Sequence, residues 1–255
     1  MSATSLARVV RKCSVIVASV VFVAFPLTAQ SPPATNSLAI QANSNRTAGG
    51  RLEHGVLTLH LELREADWYP EADNGPSMKV YAFGEEGLSP QVPGPLVRVP
   101  QGTEIQVTVH NLLPAAAVLH GMHQHPGEAS DFVEVPAGDV HELHFSAGMP
   151  GTYQYWASAG GGLNGGRPYG QDSQLAGAFI VDPPGTVEAD RIFVIGLWRS
   201  QSNVVLSQDV PVINGKSWPY TERLTYAAGE SVRWRWINAS DSLHPLHLHG
   251  SGNRA

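Results

Sequence analysis

The sequence predicts an all-β protein made of two consecutive β-sandwiches, the second of them incomplete. The chain has 255 residues, including 26 glycines and 19 prolines, with 42% hydrophobic and 15% charged residues. This composition is typical of a turn-rich globular β protein. From residue 51 onward, short segments alternate apolar and polar residues, as expected of strands with one buried face. Glycine and proline separate these segments, which gives the rhythm of a β-sandwich.

Residues 1–29 are predicted to be a secretory signal peptide. Arg8, Arg11 and Lys12 form a basic start, and an apolar run over residues 13–27 ends next to small residues suited to cleavage. That run is too short for a stable membrane span. We therefore expect a secreted or periplasmic protein. Residues 30–50 are rich in Ser, Asn, Thr and Pro, which predicts a disordered tether.

Residues 51–185 are predicted to form the first sandwich. Strands are expected at residues 56–63, 79–83, 93–99 and 103–109, each bounded by glycine or proline. Residues 140–145 alternate like an edge strand, on which His141 and His144 would be exposed. A long polar loop follows residue 160, and we expect Arg167, Asp172 and Gln174 to pin it from exposed positions through an ion pair or a cap.

Residues 182–185 mark a domain boundary, because the two prolines end a strand and stiffen the connection. Residues 186–255 are predicted to be part of a second sandwich, with strands at 191–198 and 231–238 and a hairpin turn at Asn214-Gly215. In the last strand, alternation predicts that the indoles of Trp234 and Trp236 pack inward. The guanidinium of Arg235 would then meet solvent on the opposite face.

A row of histidines, His244, His247 and His249, is the most informative feature of the chain. In an extended strand His247 and His249 project to the same side, while His244 lies beyond Pro245 and can reach a different centre. This geometry predicts two neighbouring metal sites. Imidazole ligands without carboxylates favour copper or zinc.

Residues 244–250 resemble the H-P-x-H-L-H-G segment of the multicopper oxidases, laccase-like enzymes built from cupredoxin domains. Residues 93–113 resemble the opening strands of such a domain. The resemblance implies tandem cupredoxin-like Greek-key β-sandwiches with copper as cofactor. It also implies that His244 binds the type 1 copper, whereas His247 and His249 bind the type 2 and type 3 coppers.

The first sandwich lacks most of the histidines that this resemblance implies. Residues 118–123 resemble the family's H-W-H-G segment, with His120 at the second histidine and Val118 at the first. Residues 150–158 resemble a strand in which two histidines stand where this chain has Trp156 and Ser158. The resemblance therefore leaves His120, His244, His247 and His249 as metal ligands.

Two further histidines, His123 and His125, follow His120 on a loop flanked by Gly and Pro. Either could serve as an accessory ligand, or both could be solvated loop residues. The sequence leaves these alternatives open.

The single cysteine, Cys13, lies within the predicted signal peptide, so the predicted mature chain has no thiolate for a blue copper centre. The family's later H-C-H segment is also missing, and catalysis by the isolated chain is therefore left open. We expect a fragment or a truncated reading frame. An oligomer in which another subunit completes the second domain is the alternative.

The function predicted by the resemblance is that of a copper-binding oxidoreductase of the multicopper oxidase type. It would oxidise a small molecule such as a phenol, or a metal ion, with O₂ as acceptor. The alternatives are a non-enzymatic exported copper-binding or carrier protein, and a sandwich used only for adhesion. A net charge of -6 and a pI near 6.0 argue against a nucleic acid partner.

Overall fold

The computed structural model describes residues 38–126, 132–160, 163–164, 166–185, 189–199 and 209–247. The strands, numbered in chain order, are β1 (Gln41–Ala42), β2 (Arg51–Glu53), β3 (Val56–Trp68), β4 (Met78–Glu85), β5 (Gln91–Val92), β6 (Gly94–Pro100), β7 (Glu104–Asn111), β8 (Ala117–His120), β9 (Phe132–Val135), β10 (Val140–Ser146), β11 (Gly151–Ser158), β12 (Leu163–Asn164), β13 (Arg167–Pro168), β14 (Ala176–Asp182), β15 (Arg191–Arg199), β16 (Asp209–Ile213) and β17 (Trp234–Asn238). A short 3-10 helix covers Gly170–Gln174. Within the described ranges, no helix has the length and apolar character needed to cross a bilayer. The predicted signal peptide and residues 30–37 lie outside these ranges.

Two sheets form the first sandwich. The seven-stranded sheet has the order β1-β5-β4-β3-β7-β10, with β2 added beside β3, and the five-stranded sheet has the order β6-β14-β11-β8-β9. Strand β3 runs parallel to β7, and β6 runs parallel to β14, because the chain crosses between the sheets instead of turning back within one. The predicted all-β sandwich class is confirmed.

The core between the two sheets follows the predicted alternation. Leu57, Leu59 and Leu63 of β3 are at most 2% exposed and point between the sheets, where they pack with aromatic side chains such as Phe83 and Tyr155. The rings of Phe83 and Tyr155 meet edge to face with 5.1 Å between their centroids, the arrangement that aromatic pairs prefer. This core fixes the positions of both sheets.

A separate three-stranded sheet packs on the outside of the five-stranded sheet. We call it the second sheet, because its residues belong to the predicted second domain. Its central strand β15 pairs antiparallel with β16 and parallel with β17. Ile192, Val194 and Ile237 of this second sheet are buried against Leu96 and Ile180 of the first sandwich. This contact, which we call the sheet interface, is apolar at its centre.

The predicted orientation of β17 is wrong. Arg235 points toward the first sandwich, where it binds the carboxylate of Asp190 and donates to the hydroxyl of Thr152 at 2.8 Å. Trp234 and Trp236 are half-buried on the opposite face, where both contact the ring of Phe193. Alternation identified the two faces correctly, but the face that meets the first sandwich carries a guanidinium stabilised by a carboxylate.

The Asn214-Gly215 hairpin turn is confirmed, and it docks the second sheet on the first sandwich. Asn214 and Gly215 have φ angles of 51° and 83°, and residues Ile213 and Lys216 pair across the turn. The Gly215 carbonyl accepts a hydrogen bond of 3.0 Å from the buried indole of Trp68. The Lys216 ammonium donates to two backbone carbonyls of residues 69 and 71.

The predicted disordered tether over residues 30–50 is wrong for its described part, residues 38–50. Ile40 is 8% exposed and packs in an apolar cluster with Trp68. Strand β1 pairs parallel with β5, and the side-chain amide of Asn45 donates to that of Asn214 at 3.1 Å. These polar side chains find fixed partners, so their composition does not lead to disorder.

The segment after residue 160 is also more buried than predicted. Asp172 is 0% exposed, and Gln174 is 3% exposed. The carboxylate of Asp172 accepts a hydrogen bond of 2.8 Å from the backbone N–H of Ala159. A carboxylate therefore caps the backbone and pins the segment, as expected, but it does so from inside the protein.

Candidate metal centre

His120 ends strand β8 and lies between two aromatic rings. In the five-stranded sheet it pairs with Trp156 of β11 on one side and with Phe132 of β9 on the other. Its imidazole stacks on the Trp156 indole, with 3.9 Å between ring centroids and 10° between ring planes. The Phe132 ring is tilted by 45° at 5.8 Å. Cross-strand neighbours on one face of a sheet are held at such short distances.

The electrostatic surroundings of His120 favour the neutral ring. Burial lowers the pKa of His120 below its ordinary value, and the nearby imidazole of His123 lowers it further. Neutral imidazole carries a lone pair, and it is the form that binds a metal ion. His120 is therefore poised chemically to act as a ligand.

The four positions that the resemblance implies as ligand positions lie on one face of the five-stranded sheet; they are Val118, His120, Trp156 and Ser158. The register that pairs His120 with Trp156 also pairs Val118 with Ser158, and residues two apart on a strand share a face. The sequence alone could not supply this register. Of the four residues, only His120 offers an imidazole. The Trp156 indole cannot replace it as a ligand, because its N–H is a donor without a lone pair.

Trp156 also joins this face to the sheet interface. It is partly buried and packs against the apolar cluster that contains Ile192 and Ile237 of the second sheet. One face of the indole lies on His120. The aromatic ring therefore serves as packing at a position where the resemblance implies a further histidine ligand.

The loop histidines have different partners. The backbone N–H of His125 donates to Nδ1 of His123 at 3.1 Å, so this nitrogen is engaged in the structure. His125 is exposed. His123 lies close enough to His120 to lower the pKa of His120. An accessory ligand role for His123 therefore stays a prediction.

The histidine row does not continue as a paired strand. Strand β17 ends at Asn238, and residues 239–247 are not part of a strand in the described structure. Ring nitrogen Nε2 of His244 lies 2.8 Å from the hydroxyl oxygen of Ser240, while His247 is exposed. His249 lies outside the described residues, so the shared face of His247 and His249 stays a prediction.

The side chains around His120 offer few donors for a metal cluster. Across the described ranges, no group of three His, Cys, Asp or Glu side chains could hold a metal ion. The face around His120 presents one imidazole, one hydroxyl, one indole and one aliphatic side chain. This face therefore does not fit a cluster of several copper ions by itself.

Phe132 also belongs to this site, although no motif in the sequence indicates it. It is 58% exposed and reaches His120 from β9. Residues 132–135 could have been recognised as a short apolar run. The pairing of that run with β8 depends on the tertiary structure, and no local signal reveals it.

Comparisons with known proteins agree with this architecture. The family model described as multicopper oxidase matches residues 86–186. A curated relative, the probable nitrite reductase-hydroxylamine oxidoreductase fusion protein of Kuenenia stuttgartiensis, is 26% identical over 211 residues, which are 75% of this chain and 24% of that protein. The chain therefore spans about a quarter of this relative.

Solved structures show the same fold at low sequence identity. The multicopper oxidase mgLAC is 24% identical, with a TM-score of 0.56 over 72% of this chain and 61% of that chain. A blue copper oxidase from Nitrosomonas europaea is 20% identical, with a TM-score of 0.56 over the same shares of the two chains. A copper nitrite reductase from Nitrosomonas europaea is 21% identical, with a TM-score of 0.55 over 72% of this chain and 68% of that chain.

Proposed function

We propose that this chain serves in a copper-dependent oxidoreductase of the multicopper oxidase type, because the multicopper oxidase family model matches residues 86–186 and the fold is shared with copper oxidases. The proposed substrates are phenols or metal ions, with O₂ as electron acceptor. Copper would supply the one-electron redox chemistry, and the residues of this chain would hold the metal. The predicted signal peptide supports export to the periplasm or beyond.

The observation that carries this proposal is the position of His120. Its half-buried imidazole lies at the end of β8, on the face that also carries Val118, Trp156 and Ser158. Burial lowers the pKa of His120, which favours the neutral imidazole that binds a metal ion. Trp156 connects this face to the sheet interface. We propose His120, His244, His247 and His249 as the copper ligands of this chain.

Calorimetric titration with Cu(II) tests this assignment. His120→Ala and the double variant His247→Ala with His249→Ala should each weaken Cu(II) binding by at least about tenfold, the lower end of the losses seen when groups that support a metal are removed. A matched control is His60→Ala with His141→Ala, two exposed strand histidines, which should leave the affinity unchanged. Equal losses in all variants would show that copper binds nonspecifically to surface imidazoles.

The reaction itself is tested by O₂ consumption. The copper-loaded chain is mixed with 2,6-dimethoxyphenol or Fe(II), and uptake of O₂ is recorded with an electrode. Uptake that depends on copper and is lost in His120→Ala supports the oxidase. The predicted mature chain has no cysteine, so we expect no intense thiolate band in its visible spectrum.

A second candidate function is a non-enzymatic exported copper-binding or carrier protein. The specific observation in its favour is that the neighbours of His120 on its face are Val118, Trp156 and Ser158. The resemblance implies histidine ligands at these three positions, so the face offers fewer ligands than an oxidase would use. Retention of copper without any O₂ uptake would favour this carrier over the oxidase. Loss of both properties would contradict both functions.

A further inference from the structure

Arg167 is a partly buried cation on the short hairpin of β12 and β13. These strands pair antiparallel, with Arg167 opposite Asn164, and the Arg167 side chain reaches Gln154 of β11. The side-chain oxygen of Gln154 accepts hydrogen bonds from both terminal nitrogens of the guanidinium, with 2.9 Å between that oxygen and Nη2. The guanidinium is therefore held by a neutral group.

The other partly buried arginines of the described chain have a different kind of partner. Each of them binds at least one carboxylate, and they are Arg64, Arg98, Arg191, Arg199 and Arg235. Within the described ranges Arg167 forms no such pair, so the ion pair expected from the sequence is not found there. Burial alone lowers the pKa of Arg167, which agrees with a cation that has no carboxylate beside it.

A partly buried guanidinium without a carboxylate favours an anionic ligand. Removing a charge from water costs free energy unless an opposite charge or hydrogen bonds replace the water. The guanidinium carries several N–H donors in a planar fork, and the Gln154 oxygen faces only the two terminal nitrogens. The Nε side of the fork is left for a ligand. A carboxylate matches this side with two parallel hydrogen bonds and supplies one negative charge.

We propose that Arg167 and Gln154 form a binding site for a small monocarboxylate, which pairs with the Nε side of the guanidinium while Gln154 holds the terminal nitrogens. The site adjoins the candidate metal centre, because Gln154 and Trp156 are two residues apart on β11 and share a face of that strand. Binding at this site requires no copper, so the inference goes beyond the proposed oxidoreductase function and does not depend on it.

The test uses the full chain with isotope-labelled arginine in metal-free HEPES buffer at constant ionic strength. Acetate is the probe, and NMR follows the Nε–H signal of Arg167, which is assigned by its loss in Arg167→Gln. Acetate should shift this signal saturably. Acetamide, the neutral analogue, should bind at least about tenfold more weakly, because hydrogen bonds between charged partners are stronger. Equal affinities for acetate and acetamide, or a shift that does not saturate, would overturn the proposal.

Two variants with the same change of charge show whether acetate occupies Arg167. Gln154→Glu places a carboxylate of the chain itself on the guanidinium, so acetate affinity should fall at least about tenfold. Gln106→Glu adds the same charge at an exposed position of β7, in the other sheet of the sandwich, and should leave acetate affinity unchanged. Equal effects of the two variants would show that acetate responds only to net charge, which contradicts a site at Arg167.

Inorganic phosphate tests the chemical class of the ligand. It carries more negative charge than one guanidinium compensates, so it should not bind more tightly than acetate under the same conditions. Tighter binding of phosphate would overturn the assignment to a monocarboxylate. Since copper is absent throughout, failure of this site and failure of the proposed copper function are separate outcomes.

Discussion

The imidazole of His120 lies flat on the indole of Trp156, with 3.9 Å between the two ring centroids. The stack joins a candidate ligand to the packing of the second sheet, because Trp156 also contacts the apolar cluster of the sheet interface. Trp156 is thus part of the structural framework that holds the second sheet.

Truncation of the indole should destabilise the protein. Trp156→Ala removes a partly buried ring from the sheet interface, and we expect a loss of about 2–4 kcal/mol in the free energy of unfolding, somewhat below the cost for a fully buried aromatic ring. Urea denaturation measures this loss. Trp218 is 81% exposed, so Trp218→Ala should change stability by less than about 0.5 kcal/mol. Similar losses in the two variants would show that Trp156 does not anchor the interface.

Restoring an imidazole at this position should strengthen copper binding. Trp156→His places a second imidazole directly across the strand pair from His120, and Cβ atoms of such pairs are about 4.5–5.5 Å apart. We expect Cu(II) affinity to rise about tenfold by calorimetry, because two fixed nitrogen ligands replace one. Gln154→His is the control, since residue 154 pairs with Ala178 instead of His120. An equal gain in the control would contradict a site at His120.

The docking turn should tolerate no side chain at Gly215. A Cβ there would lie 2.1 Å from the backbone oxygen of Val92, whereas a Cβ at Gly229, which has a similar φ of 85°, would meet nothing within 4 Å. Both alanine variants carry the backbone cost of a positive φ, about 1–2 kcal/mol. Gly215→Ala should lose about 1–3 kcal/mol more because of the clash. Thermal and urea denaturation compare the two, and equal stabilities would show that the turn is not docked.

A buried carboxylate holds two guanidiniums across the sheet interface. The side chain of Asp190 is 0% exposed and accepts hydrogen bonds from Arg98 of β6 and Arg235 of β17. Asp190→Asn should cost about 3 kcal/mol, because it leaves two partly buried cations with reduced compensation. Asp209, by contrast, forms an exposed pair with Arg199, which also binds Asp241. Asp209→Asn should therefore cost less than about 1 kcal/mol in the same denaturation assay.

The same carboxylate predicts how stability depends on acid. Burial acts to raise the pKa of Asp190, but hydrogen bonds from Arg235 and Arg98 outweigh it, so that the pKa of Asp190 is lowered in the folded protein. Its stabilising contribution is therefore complete above the unfolded-state pKa of about 3.9 and is lost as pH falls through the lowered folded-state value. The stability difference between wild type and Asp190→Asn should shrink below about pH 4. A difference that stays constant down to pH 2 would contradict this linkage.

Local pattern was sufficient to predict the elements of the first sandwich. The alternation of Leu57, Leu59, Leu61 and Leu63 specifies one buried face, and the structure buries all four. The Asn214-Gly215 pair specifies a tight turn because both residues accept a positive φ. These signals depend on neighbours in sequence, and the sequence contains them in full.

Features that depend on distant partners were predicted poorly. The alternation in β17 could not show which face meets the first sandwich, since Arg235 is stabilised by Asp190, 45 positions earlier. At the candidate site, the resemblance identified His120, Val118, Trp156 and Ser158, but only strand register shows that they share a face. The contact between Phe132 and His120 has no local sequence signal.

The hydrogen bond between Asn45 and Asn214 spans 169 positions of the chain, and this separation affects the order in which the protein can assemble. At a synthesis rate of about 5–20 residues per second, Asn45 is made roughly ten to thirty seconds before its partner exists. The side-chain amide of Asn45 therefore gains this partner only after the first sandwich has been made, whereas β1 of the same segment can already pair with β5. This hydrogen bond is consequently a late event of assembly, because it joins two parts of the chain that are made far apart in time.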